Sequence, residues 1–218
     1  MAARLLQATH AAVGLTGVAK ERFNVIAQEL SALSTQFSNN LLDATKAYEL
    51  VLTTTDDVAG LPPSLLQLSY QTYQAKYAAT TKADSTASTT PTWEQGPWLF
   101  SLEAAIVQPF LENCQQRQHR ENLYKAYVKR ASEGTVDNLP ILEKIRSLRA
   151  EMAQLLGYHS YAELSIREKM VGSVGEVLAF EQKMLDICKP LGEKEKNALA
   201  RFAKTQGFND TLRPFDIA

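Results

Sequence analysis

The sequence predicts a mainly α fold, a multi-helix array that carries one small two-stranded β pair resembling a hairpin. Three observations support this prediction. Apolar residues recur at helical spacing over about eight turns near the start of the chain. Two segments later in the chain have the spacing of a helix capping box. Only two short apolar segments have the character of strands, so we expect no larger sheet.

The first long helix is predicted from Lys20 to Tyr48. Apolar residues in this range alternate in steps of three and four, which places them on one stripe of a helix and leaves the opposite face polar. The stripe consists of Phe23, Ile26, Leu30, Leu33, Phe37, Leu41, Ala44 and Tyr48. We expect this stripe to be the buried side.

The two strands are predicted at Leu50 to Thr54 and at Pro97 to Leu102. Both segments are short and apolar, and each is the simplest partner for the other. Between them, the turn residues 56–63 (DDVAGLPP) precede a second helix. Its expected buried side consists of Leu65, Leu66, Leu68 and Tyr73.

Helices dominate from Pro109 onward. One carries Leu123, Tyr124, Tyr127 and Val128. The next begins near Asn138, with Pro140 in its first turn, where the missing N–H does no harm, and ends at Gly157. Its predicted buried residues are Leu142, Ile145, Leu148, Met152 and Leu155.

Two capping boxes mark the last helices: Ser160 with Glu163, and Ser173 with Glu176. The second begins a long helix that should kink or break at Pro190 and continue to Gly207. Its predicted buried residues are Val177, Phe180, Met184, Ile187, Leu191, Leu199 and Phe202.

The predicted organisation is one contiguous helical unit in three parts. Residues 1–79 hold the long helix and the first strand, and residues 93–218 hold the second strand and the remaining helices. Residues 80–92 (TTKADSTASTTPT) contain nothing large enough to pack, so we expect a flexible, exposed loop there.

Composition excludes several classes of protein. The net charge is −1 and no long run has one sign of charge, so nucleic acid is not an expected partner. No apolar stretch approaches the roughly 20 residues that cross a bilayer, so we expect a soluble protein without a membrane partner. Cys114 and Cys188 are far apart and outside any CxxC, which indicates two small buried residues and neither a disulfide framework nor a thiolate metal site.

A search for catalytic motifs assigns no catalytic, metal-binding or substrate-binding residue. A zinc peptidase needs two histidines one helical turn apart with a glutamate between them, in the pattern HExxH. The three histidines, His10, His119 and His159, are isolated from one another in the sequence. His119 is predicted on a solvated helix face and His159 in a turn before a helix cap. Asp56 and Asp57 are expected as turn residues and GSVG at 172–175 as a helix start, in preference to a carboxylate dyad and a phosphate loop.

Several segments together nevertheless resemble a known family. They are GLTGVAKERFNVI (14–26), ELSALSTQFSNNLLDATKAYE (29–49), GPWLFSLE (96–103), YKAYVKRASEG (124–134), DNLPIL (137–142) and LRAEMAQLLGYHSYAELSIREKM (148–170). In this order and spacing, the chain resembles the oligopeptidase A and thimet oligopeptidase family of zinc metallopeptidases, and most closely its plant organellar branch. The resemblance extends from about Ala11 to Ala218, with departures at residues 80–92 and 104–114.

The resemblance implies a portion of a two-lobed, mostly helical zincin with a deep channel that admits short peptides, for example in peptide turnover after targeting-peptide removal. Zinc is the cofactor of the full-length family enzyme, and we expect this chain to bind none. The family's HExxH helix lies well beyond a segment like FDIA at 215–218, so the chain is expected to be a non-catalytic portion, inactive by itself. A cytoplasmic or an organellar location is compatible with this resemblance.

Two functions follow as alternatives. In the first, the chain is a lobe of a zinc oligopeptidase that works with a missing catalytic half, which predicts an exposed apolar surface on the face that half would cover. In the second, the chain is a stand-alone helical module that binds peptides or proteins without catalysis, which predicts polar residues over the same face. The ending LRPFDIA (212–218) begins a new element and favours the first alternative.

Overall fold

The fold was obtained as a computed structural model that describes residues 2–81 and 92–217, with side chains at 4–77 and 92–217. The predicted mainly α class with one two-stranded sheet is confirmed over these residues. The helices and strands are α1 (Ala2–His10), α2 (Gly17–Ala47), β1 (Leu50–Leu52), α3 (Pro63–Thr81), β2 (Trp98–Phe100), α4 (Ala104–Asn113), α5 (Arg117–Val128), α6 (Leu139–Leu155), α7 (Tyr161–Ile166) and α8 (Val174–Thr205). None of the helices in the described ranges has the length and apolar character needed to span a membrane.

The described chain divides into two compact units. Unit 1 comprises Met1–Phe37 and Leu139–Thr211, and unit 2 comprises Ser38–Asn138 and Leu212–Ala218. The sequence predicts instead a division at residues 80–92. Helix α3 continues to Thr81, and residues 82–91 lie outside the described residues. The division predicted there therefore stays a prediction.

Unit 2 is built around the small sheet. β1 and β2 are antiparallel, with Leu50 opposite Phe100 and Leu52 opposite Trp98, so the predicted strand pair is confirmed. All three residues of β2 are buried, and helices α3, α4 and α5 supply half of the other side chains in the core. The core consists of Leu52, Val58, Leu61, Leu65, Trp98, Phe100, Leu102, Ile106, Val107, Phe110, Cys114 and Leu123.

Helix α4 begins earlier than the sequence indicates. It starts at Ala104 and passes through Pro109, whereas the sequence predicts that the helices after the second strand begin at Pro109. Burial explains the difference: Ile106, Val107 and Phe110 all enter the core of unit 2, and this gain outweighs the hydrogen bond that the proline ring removes.

The end of the described chain also belongs to unit 2. Residues Pro214–Asp216 form a single 3₁₀ turn in which Phe215 is buried. Arg120 on α5 donates from Nε to the Phe215 carbonyl oxygen at 3.0 Å. The new element predicted for LRPFDIA is therefore, over the described residues, a turn attached to α5.

Unit 1 contains the first part of α2 together with α1, α6, α7 and α8. Every residue of the predicted α2 stripe is buried or half-buried, and Phe23 and Ile26 are its buried members. Arg22 on α2 donates to both carboxylate oxygens of Glu151 on α6, at 2.5 and 2.6 Å. These contacts hold α2 against α6.

The predicted helix boundaries in unit 1 are confirmed. Pro140 lies in the first turn of α6, and Gly157 follows the helix with a φ of +82°, a conformation that favours glycine. Ser160 and Ser173 are the N-caps of α7 and α8, and each hydroxyl accepts from a backbone N–H three residues later at 3.2 Å.

Several predictions of burial are wrong. Leu68 on α3 and Leu142 on α6 are exposed, and Ile141 is buried in place of Leu142. The predicted buried side of α8 is exposed as well, except for half-buried Val177. The helix is not broken at Pro190. The proline has no N–H to donate to the carbonyl of Asp186, but Pro190 is exposed, so water can hydrogen-bond to this carbonyl instead.

Candidate functional site

The histidine environments show what chemistry the described residues offer. In unit 1, His10 Nδ1 lies 2.9 Å from Glu168 Oε1, and its Nε2 lies 3.1 Å from the Tyr158 hydroxyl. His159 is exposed, and its backbone N–H donates to Glu163 at 3.0 Å as part of the α7 cap. The interpretation of His159 as a turn residue is confirmed, and His10 belongs to a local hydrogen-bonded cluster.

His119 in unit 2 does not lie on a solvated helix face, so that prediction is wrong. Its side chain is 22% exposed, and Nε2 lies 2.9 Å from Asp57 Oδ1. Thr54 donates to the other oxygen of the same carboxylate at 2.7 Å. Hydrogen bonds from His119 and Thr54 lower the pKa of Asp57. This pair attaches the turn after β1 to α5.

Cys114 lies close to the same turn but is not an activated nucleophile. The side chain is buried, and burial raises the pKa of its thiol. Its Sγ lies 3.7 Å from the Asp57 carbonyl oxygen. Cys188 is exposed on α8, so the prediction of burial is confirmed for Cys114 and wrong for Cys188.

The described residues do not provide the ligands of a catalytic zinc. Such a site needs three protein ligands from histidine, cysteine or carboxylate side chains around one point. Within the described part of the chain, no group of three or more such residues could hold a metal ion. His10 and His119 are each paired with a single carboxylate, those of Glu168 and Asp57.

A cluster around Asp216 is a feature that the sequence does not predict. Its side chain is 3% exposed and accepts from Arg117 Nε and Nη2 at 3.0 Å each. Arg120 Nη2 adds a third bond at 3.1 Å, and the backbone N–H of Arg213 a fourth at 3.0 Å. Nearly a hundred residues separate Asp216 from Arg117 and Arg120, and no local pattern connects it to them.

Among the residues that the structure describes, α8 contains no buried residue, and much of its apolar side is exposed. We define the α8 face by its exposed apolar residues, which are between 38% and 63% exposed. They are Leu178, Phe180, Met184, Leu185, Ile187, Leu191, Leu199 and Phe202. Contiguous apolar surface of this kind is rare on proteins that work alone, so the α8 face is the candidate functional surface.

Comparison with known proteins decides the family. The model of Peptidase family M3 matches residues 110–218, which include α5 to α8. The chain belongs to peptidase family M3. The resemblance to oligopeptidase A inferred from the sequence segments is therefore confirmed.

The similar proteins in this family are oligopeptidases from plants and bacteria. The chain is 40% identical over 98% of its length to a probable cytosolic oligopeptidase A of Arabidopsis thaliana. It is 38% identical over 94% to the chloroplastic and mitochondrial organellar oligopeptidase A of the same plant, and 36% identical over 94% to oligopeptidase A of Escherichia coli. The chain covers 30%, 24% and 28% of these three relatives.

Proposed function

We propose that this M3 chain is the non-catalytic helical portion of a zinc-dependent oligopeptidase that hydrolyses short peptides. One observation carries the proposal: the chain aligns over nearly its whole length with oligopeptidases, while its described residues offer no group that could hold a metal. In the complete enzyme, zinc supplies the activation of water and of the peptide carbonyl. The contribution of this chain is a scaffold and part of one wall of the peptide channel.

The exposed α8 face supports this proposal over the alternative of a stand-alone binding module. A self-contained module should carry polar residues where the rest of a peptidase would contact it. The α8 face carries instead the apolar residues Phe180, Ile187 and Leu191, each at least half exposed. Covering the exposed half or more of each of these side chains would contribute about 1 to 2 kcal/mol.

A chimera tests the proposal directly. The segment of Escherichia coli oligopeptidase A that aligns with this chain is replaced by the chain itself. We expect the chimera to cleave a quenched fluorescent peptide in the presence of zinc and to lose this activity with a chelator. A variant that lacks the segment, and the isolated chain with added zinc, should both be inactive.

Two results would contradict the proposal. Chelator-sensitive cleavage by the isolated chain would show that it contains a metal site of its own. A chimera that melts cooperatively at a temperature close to that of the parent enzyme, yet cleaves nothing, would show that the chain cannot serve as this portion of an oligopeptidase.

A further inference from the structure

The α8 face has the pattern of a surface that receives another helix. Half-buried Val177 and the face residues Phe180, Met184, Ile187 and Leu191 follow one another in steps of three and four, and Leu199 and Phe202 are again three residues apart. The other two residues of the face, Leu178 and Leu185, widen this stripe on one side. This spacing aligns side chains along one side of a helix, and it is the spacing at which two helices interlock their side chains. At about 100° per residue, the face occupies roughly half of the circumference of α8.

Both edges of the α8 face are basic. The same helical geometry places Lys183, Lys194 and Arg201 along one edge and Lys189 and Lys196 along the other. All five side chains are exposed. Within the described part of the chain, none of them lies within ion-pair distance of a carboxylate, so these edges present uncompensated positive charge.

Two carboxylates distinguish this face from a lipid-binding one. Glu181 and Glu195 lie among the apolar residues of the face and not at its edges. A lipid surface would bury these charges in a medium with no partner for them, at a cost of several kcal/mol. A protein surface can place a lysine or arginine opposite each of them. The two glutamates therefore favour a protein partner.

The charge pattern also disfavours a second copy of α8. In a parallel pair, the basic edge with Lys183 and Lys194 would face the basic edge with Lys189 and Lys196. In an antiparallel pair centred on the middle of the face, Lys183 of each copy would lie opposite Lys194 of the other copy. Like charges at such positions oppose pairing, whereas acidic residues there would favour it.

We propose that the α8 face binds an amphipathic helix of another protein segment, bordered by Asp and Glu and carrying Lys or Arg opposite Glu181 and Glu195. The apolar stripes provide most of the affinity, and the charged edges select the partner and its register. The proposal uses the same face as the proposed peptidase function but does not depend on peptide hydrolysis. Its test therefore measures binding alone.

The test uses two synthetic helical peptides of about eight turns with the same leucine and isoleucine stripe. One has glutamate at both edges and two arginines within the stripe, and the other has lysine at the edges and two glutamates within it. Binding of each labelled peptide to the whole chain is measured by fluorescence anisotropy at low salt. We expect the peptide with glutamate edges to bind at least about tenfold more tightly, with an advantage that shrinks as salt rises.

Substitutions on α8 provide the matched comparison. F180D with F202D should abolish binding of both peptides, because it removes two of the most exposed apolar anchors. K183E with K194E should reduce the preference for the acidic edges by about tenfold or more. K46E, at an exposed lysine near the end of α2, is the control and should change nothing. All these positions are exposed, and circular dichroism confirms that each variant keeps its helices.

Three outcomes would overturn the proposal. The first is equal affinity for the two peptides, or a preference that K183E with K194E leaves unchanged. The second is self-association of the chain in sedimentation experiments that F180D with F202D abolishes. The third is binding of the chain to vesicles that contain phosphatidylserine, if the F180D with F202D variant loses this binding. None of these outcomes bears on whether the chimera cleaves peptides, so failure of this inference and failure of the proposed function can be distinguished.

Discussion

At the scale of single residues, Asp216 of unit 2 is a buried charge whose carboxylate accepts four hydrogen bonds. Burial alone would raise the pKa of its carboxyl group, but hydrogen bonds from Arg117, the Arg213 backbone N–H and Arg120 outweigh burial. The pKa of Asp216 in the folded protein therefore lies below its ordinary value. Local sequence could not reveal this cluster, because its members meet only after the chain has folded.

We expect D216N to lower the free energy of unfolding by about 2 kcal/mol at pH 7. The amide keeps the shape of the side chain but removes the buried negative charge that accepts hydrogen bonds from both Arg117 and Arg120, and losing a charge-assisted partner in a buried site is costly. Urea denaturation followed by circular dichroism measures the change. D43N, at an exposed aspartate of α2, is the control and should stay within about 0.5 kcal/mol of the parent.

The same substitution gives a prediction about pH. Because the folded protein lowers the pKa of Asp216, the stability it provides is fully present above the unfolded-state pKa of about 4 and is lost as the pH falls through the lower folded-state value. The difference in unfolding free energy between the parent and D216N should therefore be constant from pH 7 to about pH 5 and shrink below about pH 4. A difference that grows on acidification would show that the carboxylate is not stabilised by its arginines.

At the scale of elements, the turn between β1 and α3 depends on a single glycine. Gly60 has a φ of +88°, and a Cβ placed on it would lie 2.3 Å from the carbonyl oxygen of Asn113 at the end of α4. The neighbouring Ala59 carbonyl accepts from the Gln115 N–H at 2.9 Å, so the two backbones cannot separate without losing this bond. Any side chain at position 60 should therefore separate the turn from α4.

We expect G60A to lower the free energy of unfolding by about 2 kcal/mol or more, from the strained backbone and the contact with the Asn113 oxygen together. G14A is the matched control: a Cβ at that glycine meets nothing within 4 Å, and its φ is not in the left-handed region. Thermal denaturation of both variants measures the difference. Equal melting temperatures would mean that the turn and α4 are not in contact in solution.

The elements that the sequence predicts well are those whose signal is local. The α2 stripe, the caps at Ser160 and Ser173, and the stop at Gly157 depend on residues within one or two turns, and all are confirmed. Helix α4 begins before Pro109 because its apolar residues reach a core that sequence spacing cannot show. On α8, the spacing predicts an amphipathic helix correctly, but spacing carries no information about whether anything covers the apolar side.

At the scale of the whole molecule, buried residues are distributed unevenly. Unit 2 has a contiguous core of twelve buried residues that includes Trp98 and Phe100 of β2. Helix α8 in unit 1 contributes no buried residue, although it is the longest helix that the structure describes. Most of the stability of a helix in a protein comes from packing its apolar face and not from intrinsic propensity. Helix α8 should therefore open locally at a much lower free energy than the core of unit 2.

Hydrogen exchange measured by mass spectrometry tests this difference. We expect peptides from the middle of α8 to exchange at least about 100-fold faster than peptides that contain Trp98–Phe100, because opening α8 exposes little additional apolar surface. The rates should be the same over a dilution series, since the measured opening belongs to the single chain. Addition of the peptide with glutamate edges should slow exchange in α8 and leave β2 unchanged. Protection of free α8 equal to that of β2 at every concentration would mean that the α8 face is already covered within the chain, and the binding surface proposed for it would not exist.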